Sequence, residues 1–417
     1  MRPTLRGFFY IRSRTTLPSL LRTSQRVPIS HELYRTDNCF VWSLDQKKVI
    51  YSFLNRNTNN WLVQWTLDES FFVRFSNSPG ELIITNSCAP YTPCFSFKDR
   101  NMVSFCLSPS ETAQKIAIYF EGDNGSPSNI RIFSFPGGLS TLPRATKSFY
   151  KADRVDLLWN HTGSHLIAFI HSDEDKNGKS YYGHESIVFI SADGSLDCQL
   201  RLDSEGPIHA VEWSPVSNEF IVVYGSKSCT RVNVDMPARA KIFDSNCRPV
   251  FDFGSSPRNF VKFNPFGNLI CMSGFGNLSG SVEIWDRVKL KKISCFKAPG
   301  TTTLEWSPDG RFLLLATLSP RLRVDNGIKI YDFTGGLVSH VEFSELLQVV
   351  GHVEAISEGN FCQFSSKLQC LEQGHERKHR CICAALVAQS CSRATEAFRF
   401  SSISSKAGQN ITPGKAD

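Results

Sequence analysis

A chain of 417 residues, 41% hydrophobic and 20% charged, has the balance of a protein with a large buried core, which excludes a disordered chain as the starting assumption. Its formal charge of +7 sits at the ends: residues 1–36 hold seven Arg against one acid, residues 351–417 eight Lys or Arg against six acids, and residues 37–350 the remaining 31 basic and 32 acidic groups. A near-neutral body excludes nucleic-acid recognition by a global basic field and leaves local patches.

The first 29 residues are rich in Arg, Ser and Thr and contain no acid. That is the composition of a mitochondrial transit peptide and equally of a basic segment without fixed structure, and Pro3, Pro18 and Pro28 interrupt any long amphipathic helix. Residues 1–36 are therefore expected to be disordered.

Across the chain, 32 Phe and seven Trp tilt the composition toward strands. One unit recurs: an apolar strand, an anchor residue followed mostly by Ser, Thr or Asn, a Pro/Asp/Gly turn, and a second apolar strand. In chain order the copies are LVQWTLDESFFVRF (62–75), VSFCLSPSETAQKIAIYF (103–120), VDLLWNHTGSHLIAFI (155–170), AVEWSPVSNEFIVVYG (210–225), FVKFNPFGNLICMSG (260–274) and TLEWSPDGRFLLLAT (303–317). Their anchors Trp65, Leu107, Trp159, Trp213, Phe263 and Trp306 are spaced by 42, 52, 54, 50 and 43 residues, which suits four-stranded propeller blades with loop insertions. A third strand follows most copies, as in SIVFIS (186–191), SVEIWD (281–286) and IKIYDF (328–333), and a fourth is visible in KKISCF (291–296). The pattern predicts an all-β, WD40-like propeller of about six or seven recognisable blades over residues 37–350. The anchors, together with Trp285, are expected to be blade core, because a blade buries its faces only against its neighbours.

Three stretches invite a chemical reading. GFGNLSGSVEIWD (274–286) carries three glycines in seven residues, but a phosphate loop must open a helix, and SVEIWD alternates as a strand. It is expected to be a loop between blade strands, without ligand. Exposed charge concentrates in KSFYKADR (147–154), MPARAK (236–241), SSPRN (255–259) and SPRLRVDNG (319–327). In the last of these, Arg321 and Arg323 flank Leu322 beside a proline and project from a loop, where guanidiniums pair with phosphates or simply stay solvated. The tail (351–417) offers Cys370, His375, His379, Cys381, Cys383 and Cys391, yet C-x-C spacing is atypical of zinc fingers, and the expectation is no metal. Nine of the 14 Cys lie scattered through the body without C-x-x-C pairs, as in a reduced, intracellular protein. The longest apolar runs, such as FLLLATL (312–318), fall far short of the ~20 residues of a membrane span. No nucleophile elbow or H-E-x-x-H is present, and neither catalysis nor a cofactor is expected.

At KSFYKADRVDLLWN, DKNGKSYYGHE, MPARAKIFD, PVFDFGSSPRN, GFGNLSGSVEIWD and SPRLRVDNGIKIYDFTG the chain resembles the eukaryotic translation initiation factor 2A family, in order from about residue 40 to about 349. A looser similarity links it to the propeller of the b subunit of initiation factor three. The resemblance implies a WD-repeat propeller, nine-bladed in the family, in a cytoplasmic factor that binds the small ribosomal subunit. It also implies codon-directed, GTP-independent binding of initiator methionyl-tRNA, with mRNA and other initiation factors as further partners. In that light Arg239, Lys241, Arg258, Arg321 and Arg323, which lie in family-like motifs, become candidates for ribosome or RNA contact. Three features depart from the family: a basic segment replaces its opening blades, SKSCTRVNVD (226–235) reads as a loop insertion, and its Lys-rich tail does not appear. The ring is expected to keep an edge that needs covering. The alternative reading is a non-catalytic protein-interaction scaffold without RNA affinity of its own.

Overall fold

Apolar residues at the repeated positions pair into seven sheets in the computed structural model, which describes residues 8–12, 39–43, 48–55, 63–87 and all of 91–349 except 92, 111, 124, 151, 173–183, 205, 226–236, 320, 323, 345 and 347–348. The expected insertion at 226–235, Arg323, and the tail with its zinc candidates lie outside the described residues.

The first sheet has three strands, β1 (Phe8–Arg12), β2 (Cys39–Ser43) and β3 (Lys48–Phe53). β1 falls within the segment expected to lack fixed structure; its backbone pairs antiparallel with β2, from Phe8↔Ser43 to Arg12↔Cys39. Six four-stranded sheets follow, each joining strands in sequence order. They are β4 (Val63–Trp65) to β7 (Pro93–Lys98), with β5 (Phe71–Phe75) and β6 (Glu81–Asn86) between; and β8 (Met102–Leu107) to β11 (Ala145–Phe149), with β9 (Lys115–Phe120) and β10 (Ser128–Ser134). Next come β12 (Arg154–Trp159), β13 (His165–Ser172), β14 (His184–Ser191) and β15 (Asp197–Gln199), then β16 (Ile208–Trp213), β17 (Phe220–Gly225), β18 (Pro237–Phe243) and β19 (Pro249–Pro257). The last two are β20 (Phe260–Phe263), β21 (Leu269–Ser273), β22 (Ser281–Asp286) and β23 (Lys291–Lys297), and β24 (Thr303–Trp306), β25 (Phe312–Thr317), β26 (Gly327–Asp332) and β27 (Leu337–Glu342). This is the blade architecture of an all-β, WD40-like propeller with six four-stranded blades.

The chain divides into two compact units, one of residues up to Ile208 with Ser217–Phe220 and Phe243–Val250, the other of His209–Val216, Ile221–Ile242 and residues from Phe251 on. In each unit the core lies between successive sheets. In the first, Val73, Leu82 and Ile84 meet Phe105, Ile116 and Ile118; in the second, Cys271, Val282 and Ile284 meet Leu304, Leu313 and Leu315. The second strand of each blade is mostly apolar, as in FLLLAT of β25, because both its faces are covered.

The anchors do what a stacked blade requires. Trp159 and Trp306 are buried, and each indole N–H crosses to the first strand of the preceding sheet, to Cys106 O (3.1 Å) and Lys262 O (3.3 Å) respectively. Leu107, Trp213 and Phe263 are buried as well. Trp65 is half-buried against Phe72 and the β2–β3 pair, and Trp285 is half-buried with its ring edge-on to Phe253 at 5.0 Å.

The Ser, Thr or Asn after the anchor closes the hairpin. Its side chain accepts an amide that burial would otherwise leave unpaired: Phe71 N donates to Thr66 Oγ1 (3.1 Å), Leu269 N to Asn264 Oδ1 (3.0 Å) and Phe312 N to Ser307 Oγ (2.9 Å). At the same turn Gly310 has φ +66°, and a Cβ there would stand 2.7 Å from Asn264 Nδ2 and 2.9 Å from Phe266 Cδ2. The turn therefore seats against the turn of the sheet before it, which only glycine permits. The aspartates of the Trp285–Asp286 and Tyr331–Asp332 dipeptides fix the outer hairpins: Asp286 Oδ1 accepts Val288 N (2.8 Å) and Lys289 N (2.9 Å), and Asp332 Oδ1 accepts Thr334 N (2.9 Å) and Gly336 N (2.8 Å).

Candidate functional site

The five basic candidates occupy different environments. On β18 the strand alternation turns Ala238, Ala240 and Ile242 into the core and puts Arg239 and Lys241 on the other face, half-buried. Lys241 Nζ lies 3.5 Å from Asp252 Oδ2. Arg258, between β19 and β20, is only 3% exposed. Its Nη2 lies 3.7 Å from Glu283 Oε2, and Nη1 approaches Met272 Sδ at 3.2 Å. Glu283 also accepts Lys292 Nζ (2.7 Å) and Trp285 Nε1 (3.1 Å). Burial alone would raise the Glu283 carboxyl, but Lys292, the Arg258 charge and the Trp285 N–H outweigh it and hold the group below its ordinary value. Burial likewise draws the Arg258 guanidinium down, against the opposing charges of Glu283 and Asp252. Arg258 thus serves an internal ion network, where a buried charge must be paired to be tolerated.

Arg321 stands apart. The loop between β25 and β26 begins with Arg321 N and Leu322 N both donating to Leu318 O (3.2 and 3.0 Å). Buried Asn326 ties its far end, donating to Leu322 O (2.7 Å) and accepting Leu346 N (3.0 Å). The glycine loop between β21 and β22 is pinned in turn by Asn259, which donates from Nδ2 to Phe275 O and accepts Phe275 N, both at 2.9 Å. Gly280 N closes that loop on Gly274 O (2.9 Å). Gly276, at φ +74°, would carry a Cβ 2.7 Å from Arg321 Nη2, so the guanidinium rests directly over the glycine. Arg321 is exposed and forms no ion pair with any described residue. The result is an oriented cation on a rim of two pinned loops.

Replacing Gly276 with alanine is expected to cost about 1–2 kcal/mol through its left-handed backbone and to displace the guanidinium. A loss of unfolding free energy of that size in denaturant titrations checks the first half.

Sequence reasoning placed Arg321 in an exposed loop and assigned the glycine stretch no ligand. It missed that Gly276 and Asn259 build the surface on which Arg321 lies, because no periodic pattern links residues 259, 276 and 321. Among the described residues no group of three or more His, Cys, Asp or Glu side chains gathers to hold a metal, and no helix is long and apolar enough to cross a membrane.

Repeated four-stranded sheets and anchor indoles hydrogen-bonded from sheet to sheet define a protein of the WD40-like propeller class. The family model described as eukaryotic translation initiation factor eIF2A matches residues 147–349. Eukaryotic translation initiation factor 2A of Drosophila melanogaster is 35% identical over 319 residues, covering 75% of this chain and 48% of the relative. The factor of the same name from Schizosaccharomyces pombe is 37% identical over 312 residues, covering 75% and 52%. A crystal structure of a eukaryotic initiation factor matches with a TM-score of 0.64 at 33% identity, over 75% of this chain and 72% of that one. The chain belongs to the eukaryotic translation initiation factor 2A family, and it spans about half the length of the curated relatives it matches.

Proposed function

We propose that this protein is a cytoplasmic, non-catalytic translation initiation factor that binds the small ribosomal subunit and promotes codon-directed, GTP-independent binding of initiator methionyl-tRNA. Membership of the initiation factor 2A family supports the general role. The observation that carries the ribosome contact is Arg321, exposed, without a described acidic partner and oriented over Gly276. An exposed planar guanidinium suits phosphate oxygens of ribosomal RNA, which such a group engages through paired N–H donors. Arg323 follows two residues on in the sequence. Arg239 lies half-buried on β18, while Lys241 and Arg258 are engaged with Asp252 and Glu283.

A salt titration with purified small subunits tests this reading. Counterion release makes the logarithm of affinity fall linearly with the logarithm of salt, by about one unit of slope for each phosphate contact. Replacing Arg321 and Arg323 together with alanine is expected to weaken binding and flatten the slope by about two units, while Lys241→Ala changes the slope little. Binding that appears only when a second protein is present, with no change in the arginine variants, supports the interaction-scaffold reading instead.

A further inference from the structure

Two of the body cysteines meet. Cys198 is the middle residue of β15, opposite Phe189 of β14. Cys247 follows it by 49 residues and sits in the turn between β18 and β19. Asp244 pins that turn: its Oδ1 accepts Asn246 N (2.9 Å) and Arg248 N (2.8 Å), and its carbonyl accepts Cys247 N (3.0 Å). Cys247 adopts φ +60°, a left-handed conformation uncommon outside glycine. The pinned turn directs its side chain at the neighbouring sheet, and the two Sγ atoms lie 3.0 Å apart. Both thiols are free and only half-buried.

We propose that Cys198 and Cys247 form an oxidisable dithiol, a modification site at which a hydroperoxide converts the pair into a disulfide linking β15 to the 244–248 turn. A disulfide bond is about 2.05 Å long, so the sulfurs need to approach by only about 1 Å, within reach of rotation about the two Cα–Cβ bonds. Burial, the hydrogen bond and charge of Cys198, and Asp244 all push the Cys247 thiol well up, so Cys247 keeps its proton at neutral pH. In the proposed sequence Cys198 reacts first. Its thiolate attacks one peroxide oxygen and breaks the O–O bond, giving a sulfenic acid, and the hydroxide released takes the proton that Cys198 lost and leaves as water. The Cys247 sulfur attacks the sulfenic sulfur, and the departing hydroxide takes the Cys247 proton to become a second water. Two thiols lose two electrons in total and one peroxide gains them.

Other described cysteines make poorer sites. Cys271 is fully buried with its thiol pushed far up, and burial pushes Cys106 up to about 11. Cys94 and Cys295 are exposed and serve as internal references for oxidant access.

The test treats the full-length folded chain with hydrogen peroxide, alkylates it in acid and digests it without reductant. The expected product is a cross-linked peptide pair containing Cys198 and Cys247, reversed by dithiothreitol and absent from Cys198→Ser and Cys247→Ser. In the oxidised wild type the melting temperature should rise by several degrees, because the bond closes a long loop in the unfolded chain. Reduced Cys198→Ser melting with reduced wild type establishes that the variant folds. Cys94 and Cys295 oxidised while Cys198 and Cys247 both remain alkylatable would overturn the proposal. So would Cys198 capped by oxygen with Cys247 left as a free thiol.

Discussion

Trp306→Ala is expected to lower the stability of the folded chain by about 3–5 kcal/mol, the range for truncating a buried aromatic side chain. Trp306 packs with Leu304, Leu313, Leu315 and Tyr331, and its N–H is bonded to Lys262 O on the preceding sheet (3.3 Å). Alanine removes the ring from this cluster and leaves a buried carbonyl without that donor, so the transfer, cavity and hydrogen-bond losses fall together. Because each blade contacts only its neighbours, the defect lies where the β20–β23 and β24–β27 sheets meet. Trp306→Phe separates the contributions: the ring stays, the donor goes, and the loss should be about 1 kcal/mol. Trp65→Ala should cost less than Trp306→Ala, since Trp65 is half-buried. Denaturant midpoints for the three variants check this ordering. A Trp306→Ala loss below that of Trp65→Ala would mean that the indole does not join the sheets.

The strands and hairpins were legible in the sequence because their cause is local. A period of two, a closing Ser, Thr or Asn and a Pro/Asp/Gly turn lie within about fifteen residues of one another, and the sheets bear them out down to the capping side chains of Thr66, Asn264 and Ser307. The fate of the charges was not legible. SSPRN and SPRLR look alike as strings, yet Arg258 is buried against Glu283 while Arg321 is exposed over Gly276. The difference comes from residues tens of positions away, placed by strand register and by the stacking of one sheet on the next. The meeting of Cys198 with Cys247 has no sequence signal at all, because it depends on a turn of one blade reaching the outer strand of another.

The same blind spot applies to the residue just before each anchor, and there it has a thermodynamic consequence. Glu212, Lys262 and Glu305 precede Trp213, Phe263 and Trp306 on the first strands of successive sheets. Lys262 Nζ bonds Glu305 Oε2 at 2.6 Å, so its charge is largely committed. Glu212 is half-buried beside them, and burial, with the Glu305 charge adding to it and the Lys262 charge opposing, raises its pKa from the ordinary 4.5 to about 7. The folded chain therefore holds this proton more tightly than the unfolded chain does. The stability so gained is present in full below pH 4.5 and is lost as pH rises through 7. A shift of that size corresponds to about 3 kcal/mol. Glu212→Gln keeps the shape and removes the titration. Relative to wild type, the variant should therefore be near neutral at about pH 4–5 and more stable by about 3 kcal/mol at about pH 8, with the difference growing between those limits. Removing the repelling carboxylate by Glu305→Gln should lower the upper limit of the window, since only the folded-state pKa changes. Denaturant midpoints of wild type and variant across that range measure the difference directly and cancel every other titrating group. Parallel curves would show that Glu212 is as readily ionised in the folded protein as in the unfolded chain, and would remove this site from the pH dependence of folding.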